Sequence, residues 1–168
     1  MDTKAFTRTR TTEIFKIAEG VVGVRNVILD PLHHIEVKLE LDASDPSKLS
    51  IFRAEALMLR VPYPICRHPL ERMGQLVGLK VEKGLRDKVV ELVGGSRGCV
   101  HLVDLTMDGV KLAIQAVVVV WTEGMPPEEA EEIERGVLGG ICIAYPSAGR
   151  LAAGTPASPG SHLYCHQH

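Results

Sequence analysis

A chain of 168 residues with 45% hydrophobic side chains carries enough apolar material for one domain core. Its formal charge of −2, with basic residues scattered singly, leaves no electrostatic footprint for nucleic acid. Aromatic residues, at 4%, are too few for a base-stacking platform, and no apolar run reaches the length of a membrane span.

Residues 1–10 are polar and read as loose. The start lacks the apolar stretch of a signal peptide, which places the protein in the cytoplasm. In that compartment four cysteines are read as thiols or ligands rather than as disulfides. Thr12 to Ala18 and Val21 to Leu29 are rich in β-branched residues, punctuated by Gly20 and Gly23, and predict two strands. Asp30-Pro31 breaks that pattern. Ile35, Val37, Leu39 and Leu41 then alternate with Glu36, Lys38 and Glu40, the clearest strand in the chain, half-buried on one face. Asp42 to Ser47 is a turn, and Leu49 to Leu59 is the returning strand. An antiparallel meander over residues 12–59 follows.

The character then changes. Val61-Pro62-Tyr63-Pro64 is a proline-stiffened connection leading to Cys66. Pro69 suits a first helical turn, and Leu70, Met73, Leu76 and Val77 continue at helical spacing to about residue 79. Gly84 opens a second helix that Gly94-Gly95 ends. After Cys99, Leu102, Leu105, Val110, Ala113, Ile114 and Val117 predict a buried helix, although Val117 to Trp121 is β-branched enough to be a strand. Pro126-Pro127 starts another helix, with acids near the positive end of its dipole. Residues 152–168 have the Gly, Pro and Ser composition of a disordered segment, and their His and Cys content is that of an adventitious metal binder. The expected organisation is a single α+β domain over residues 1–150, with a flexible tail over 151–168. Its architecture is a three- to four-stranded antiparallel meander packed against C-terminal helices.

The chemistry-bearing residues fall at a few places. Cys66 and Cys99 each stand just ahead of a predicted helix, where backbone N–H groups and the helix dipole favour the thiolate. Arg67 and Arg97 are their sequence neighbours. His101 follows Cys99 in a C-x-H pair on a glycine-rich approach, and Asp104, one turn on, reads either as the group that orients the imidazole or as an exposed acid. His33-His34 precedes the clean strand, and because adjacent side chains on a strand diverge, at most one of the two enters a shared site. His68 reads as a helix-start residue. Cys142 is embedded in apolar residues, the ordinary setting of a structural thiol. No phosphate-binding, nucleophile-elbow or zinc-protease motif is present.

Leu32-His33, Pro62-Tyr63-Pro64-Ile65-Cys66 and Gly95-Ser96-Arg97-Gly98-Cys99-Val100-His101-Leu102 together resemble an uncharacterised bacterial family, domain of unknown function family 2889. The resemblance covers roughly residues 6–150. Members tend to carry an acidic residue after the first His, where this chain has His34, and a late Cys, to which Cys142 corresponds. A remoter likeness is to iron–sulfur scaffold proteins of the IscU/NifU type, a three-stranded sheet followed by helices with ligands at three places. His33, Cys66 and Cys99 fall at those places in the same order, with His in place of the first Cys and His101 after the third ligand rather than before it.

Three functions are consistent with this pattern. The first is a protein binding Zn²⁺ or an iron–sulfur cluster through Cys66, Cys99 and His101, with His33 or Cys142 as a further ligand, acting as a scaffold or carrier. The second is a thiol-dependent enzyme or sulfur acceptor, with Cys99 or Cys66 as nucleophile and His101 as base. The third is a binding or assembly module whose cysteines are core residues. Protein partners suit the first and third. The composition speaks against nucleic acid and membrane, and it leaves the oligomeric state open.

Overall fold

The computed structural model of the protein describes residues 5–140. Four consecutive strands, β1 (Thr9–Ala18), β2 (Val21–Leu29), β3 (His34–Asp42) and β4 (Ser50–Arg60), form one antiparallel sheet in the order β1-β2-β3-β4. Helical segments follow: a 3-10 stretch over Pro64–Leu76, α1 (Leu85–Val93), a 3-10 turn over Gly95–Arg97, α2 (Val100–Thr122) and α3 (Pro127–Leu138). The class is α+β, and the meander is the one the strand pattern predicts. The chain divides into two compact units, Met1–Val117 and Val118–His168.

Alternation explains the first unit. Across β2 and β3 the pairs Val22–Leu41, Val24–Leu39 and Ile28–Ile35 fall on one face. These side chains are buried, as are Val37, Ile51 and Met58. Each large aliphatic removed from water there contributes about 1.5–3 kcal/mol. One polar residue, Asn26, interrupts the row and is only 1% exposed. It is satisfied because its Nδ2 donates to the Leu105 carbonyl of α2 at 2.8 Å and its Oδ1 accepts from Thr12 Oγ1 at 3.1 Å. The first part of α2 therefore lies on this face. Gly109 permits the close approach: a Cβ there would stand 2.9 Å from Val24 Cγ1.

The opposite face is a charge lattice. Arg25 bonds Glu13 and Glu36, Lys38 reaches Glu36, and Arg53 reaches Glu40 and Glu55. Such exposed pairs add little stability each, and Phe15 and Leu57 lie exposed among them on the same face. Glu36 is the exception in being buried, and the Arg25 guanidinium holds its carboxyl below the ordinary value against the effect of burial.

One expectation is corrected here, and one alternative is decided. The helix expected to start at Pro69 is instead a run of 3-10 turns from Pro64, with Pro69 inside it. A proline at that point has no N–H to give an α-helical ladder, and the run buries only Pro69, Met73 and Leu76. Cys66 is thus inside a 3-10 segment rather than ahead of an α-helix. The β-branched run from Val117 to Trp121 is helical, because α2 continues without a breaker to Thr122, whose hydroxyl donates to the Val118 carbonyl at 2.9 Å.

In the second unit, α3 has proline in its first turn, Glu128 and Glu129 near its N-terminus and Arg135 in its last turn, all in accord with its dipole. Arg135 also pairs with Glu131 one turn earlier. Cys142 and the stretch 151–168 lie outside the described residues. No helix among the described residues is long and apolar enough to cross a membrane.

Candidate functional site

The turn between β2 and β3 is built by one carboxylate. Asp30 Oδ1 accepts from the backbone N–H of Leu32 at 2.8 Å and of His33 at 2.7 Å, while the Asp30 N–H donates to the His33 carbonyl at 2.9 Å. Pro31 occupies the next position, where its fixed φ suits a turn. The same carboxylate accepts from Arg8 Nε at 2.7 Å and from the His33 ring Nδ1 at 3.1 Å. Its side chain is fully buried. Burial works to raise the Asp30 pKa, but the Leu32 N–H, the Arg8 guanidinium and the His33 N–H and ring outweigh it and hold the group well below the usual carboxylate range. A carboxylate only accepts, so Nδ1 of His33 carries the proton of that bond.

The second half of the site comes from the start of α2. Gly94 closes α1, its N–H donating to the Val90 carbonyl. Three residues of 3-10 turn follow, and Gly98 lets the chain fold back on itself: a Cβ at Gly98 would collide with the carbonyl oxygens of Gly94 and Val93. This packing lets the Cys99 N–H donate to the Val93 carbonyl at 2.8 Å, while the Cys99 carbonyl accepts from Leu102 and Val103 to begin the helix. Cys99 is therefore the residue at the N-terminal boundary of α2, as its position after the glycines predicts.

These two halves meet. Cys99 Sγ lies 3.8 Å from His101 Nδ1. The rings of His33 and His101 are in contact, with centroids 4.3 Å apart and planes inclined by 53°. Burial, followed by the fields of His33 and Arg8, lowers the His101 pKa from its usual 6.5. The imidazole is neutral at pH 7 and able to accept a proton from the thiol. The sequence of contacts runs from Arg8 to Asp30, His33, His101 and Cys99.

His33 enters the site and His34 pairs into the sheet opposite Leu29 and Arg60, as the divergence of neighbouring strand side chains requires. Asp104 is not the group that orients the site's imidazoles by a hydrogen bond: its carboxylate is 3.4 Å from Arg10, and Asp30 takes that part through His33. Arg8 and Asp30 were hidden in a polar leader and a turn signal. The only hint of Asp30 is that an Asp before Pro commonly caps a turn with its side chain. Cys66 is half-buried, with its N–H donating to the Tyr63 carbonyl, and its neighbour Arg67 donates to the Met58 carbonyl. Among the described residues no group of three or more His, Cys, Asp or Glu side chains is arranged to hold a metal ion, so Cys66 is not gathered with Cys99 and His101 into a coordination sphere.

The model of a family described as protein of unknown function, DUF2889, matches residues 6–115. The chain belongs to that family. The match contains every member of the Arg8–Asp30–His33–His101–Cys99 sequence of contacts and stops before the end of α2. No curated protein and no solved structure matches the chain.

Proposed function

We propose that this DUF2889 domain is a thiol-dependent protein, an enzyme or sulfur acceptor in which Cys99 is the nucleophile and His101 its base. The observation that carries the reading is the 3.8 Å separation of Cys99 Sγ and His101 Nδ1 beside a ring kept neutral by its surroundings. A thiol becomes nucleophilic when a neighbouring base takes its proton, and that base works best when it is unprotonated at the working pH. Asp30 supports the base from behind by accepting from Nδ1 of His33, whose ring lies against that of His101. Reduced thiols are needed throughout, which fits the cytoplasm.

The test is alkylation by iodoacetamide, followed by peptide mapping from pH 5 to 9 on metal-free protein. Cys99 is expected to react at least about tenfold faster than Cys66 near neutral pH, the scale on which base activation acts. His101→Gln should remove the difference. Equal slow reaction of both thiols overturns the proposal.

A second reading has its own support. A histidine that ligates a metal commonly gives its other nitrogen to a carboxylate, as His33 does to Asp30. Cys99 Sγ, His101 and His33 Nε2 would then be donors to Zn²⁺ or to an iron–sulfur centre, with Cys66 and Cys142 as the remaining candidate ligands and a scaffold or carrier role of the IscU/NifU type. Binding would have to draw these donors together. Anaerobic purification with elemental analysis and a UV–visible spectrum decides: metal equal to protein, lost in His33→Ala, favours this reading over the first.

A further inference from the structure

The two oxygens of Asp30 do different work. Oδ1 takes the backbone N–H groups of Leu32 and His33 and so builds the turn. The turn has further ties that owe nothing to Oδ2. The Asp30 N–H donates to the His33 carbonyl at 2.9 Å, and Arg60 Nη1, at the end of β4, donates to the Asp30 carbonyl at 2.7 Å. Oδ2 accepts from Arg8 Nε at 2.7 Å and lies 3.2 Å from His33 Nδ1, which also stands 3.1 Å from Oδ1. Arg8 therefore shares one oxygen with the imidazole of the site and takes no part in the backbone of the turn.

Arg8 comes from the residues just ahead of β1, and its guanidinium carbon stands 5.8 Å from the centroid of the Phe6 ring. Its side chain is 30% exposed, whereas that of Asp30 is 0% exposed, so a partly solvated cation covers a carboxylate that water does not reach. A buried carboxylate is costly unless it is paired and hydrogen-bonded. Without Arg8, Oδ2 keeps only the His33 ring, and the carboxylate either turns toward water or draws that ring with it. Both movements reach the thiol within two contacts. The His33 and His101 rings have centroids 4.3 Å apart, and His101 Nδ1 is 3.8 Å from Cys99 Sγ.

We infer that Arg8 is a positioning residue of the thiol site: by fixing Oδ2 of Asp30 it sets the His33 ring, and through that ring the approach of His101 to Cys99. This role rests on the thiol reading above. Arg8 touches neither the sulfur nor the base, so its loss slows the thiol without abolishing its chemistry. Arg10 supplies the comparison. Two residues further on, in β1, it holds Asp108 at 2.6 Å and Asp104 at 3.4 Å, and its side chain is 39% exposed. Its ion pairs tie β1 to α2, the helix that carries His101, without passing through Asp30 or His33. An effect of general loosening would appear on removing either arginine, and a positioning effect only on removing Arg8.

The experiment measures the iodoacetamide rate of Cys99 in the full chain at pH 7 by peptide mapping, with Cys66 of the same molecule as the reference. Wild type, Arg8→Gln, Arg8→Lys and Arg10→Gln are compared, and the urea midpoint of each is recorded alongside. Arg8→Gln should lower the Cys99 to Cys66 ratio by about tenfold, the lower end of what groups standing behind a site contribute. Arg8→Lys keeps the charge but not the Nε donor, and should lower the ratio by only about threefold. Arg10→Gln removes exposed ion pairs, and should leave the ratio within about twofold of wild type whatever it does to the midpoint. The ring-proton NMR signals of His33 and His101 should shift in Arg8→Gln and hold their places in Arg10→Gln. With Cys99 fast in wild type, a ratio unchanged in the Arg8 variants, or in Arg8→Lys should Arg8→Gln not fold, overturns the inference while the thiol reading stands. An equal fall in Arg8→Gln and Arg10→Gln overturns it as well, because loosening of the fold then explains both. Wild-type Cys99 no faster than Cys66 overturns the thiol reading itself.

Discussion

Asp30→Asn is the most informative single change, because one carboxylate makes the turn and supports the site. Asparagine keeps the shape. With its carbonyl oxygen at the Oδ1 position it still accepts from the N–H groups of Leu32 and His33, bonds of 2.8 and 2.7 Å in the wild type. Its NH₂ then faces Arg8 Nε, which stands 2.7 Å from Oδ2, and sets donor against donor. A hydrogen bond to a charged group is worth about 1.5–3 kcal/mol, and Arg8, 30% exposed at its side chain, recovers part of this by turning to water. The net loss at pH 7 is about 2 kcal/mol, which at a urea slope near 2 kcal/mol/M lowers the midpoint by about 1 M. The effect carries a pH signature. The folded value of Asp30 lies below the unfolded 3.8, so its contribution is fully present above that pH and is lost as pH falls through the folded value. The gap between wild type and Asp30→Asn should be constant from neutral pH down to about 5 and narrow below 4. Urea titrations followed by circular dichroism across that range measure it. A variant within about 0.5 kcal/mol of wild type at pH 7, the scatter of neutral surface changes, or a gap that persists unchanged in acid, refutes the assignment.

Three further outcomes follow from the same contacts. His101 has its pKa lowered in the fold, so the unfolded chain binds more protons as pH falls below 6.5 and stability drops there; His101→Gln should flatten that slope in equilibrium unfolding. Gly98→Ala drives a Cβ into the carbonyls of Gly94 and Val93, and should cost about 2–4 kcal/mol and slow Cys99 alkylation together, since the clash is with backbone that cannot rotate away. Thr106 is fully buried and its Oγ1 has no partner among the described residues, so Thr106→Val should leave stability unchanged or raise it by about 1 kcal/mol in thermal melts.

The sheet was legible because its residues repeat with a period of two. Ile35, Val37, Leu39 and Leu41 are all buried, as their alternation with Glu36, Lys38 and Glu40 requires. The glycines around α1 were legible for a similar local reason: Gly84 has a φ of +88°, which favours glycine at the point where the helix begins. Cys66 was misplaced because Pro69 reads equally as a helix start or as a residue inside tight 3-10 turns, and only the packing of Met73 and Leu76 decides between them. Asp104 was visible as a candidate because it is a near neighbour of His101 along a helix, and Asp30 was not, because sequence shows only near neighbours. The Arg8–Asp30 bond spans 22 positions and the His33–His101 contact spans the whole sheet-to-helix connection. Such pairings leave no periodic trace in one chain.

That non-local origin ties the site to the register of β2 against β3. Leu29 faces His34 across the two strands, so the turn from Asp30 to His33 has no slack. A slip of one residue would invert every side chain of β3, moving Ile35 and Val37 to the charge lattice and His33 away from His101. The Asp30 carboxylate resists this with two turn hydrogen bonds, and the buried pair Ile28–Ile35 resists it through packing. The fold cannot keep its core and lose the His33–His101 contact by a register change. A defect in the site that leaves the core intact must therefore come from the loops, from the turn at Asp30 or the Gly94–Gly98 approach to Cys99.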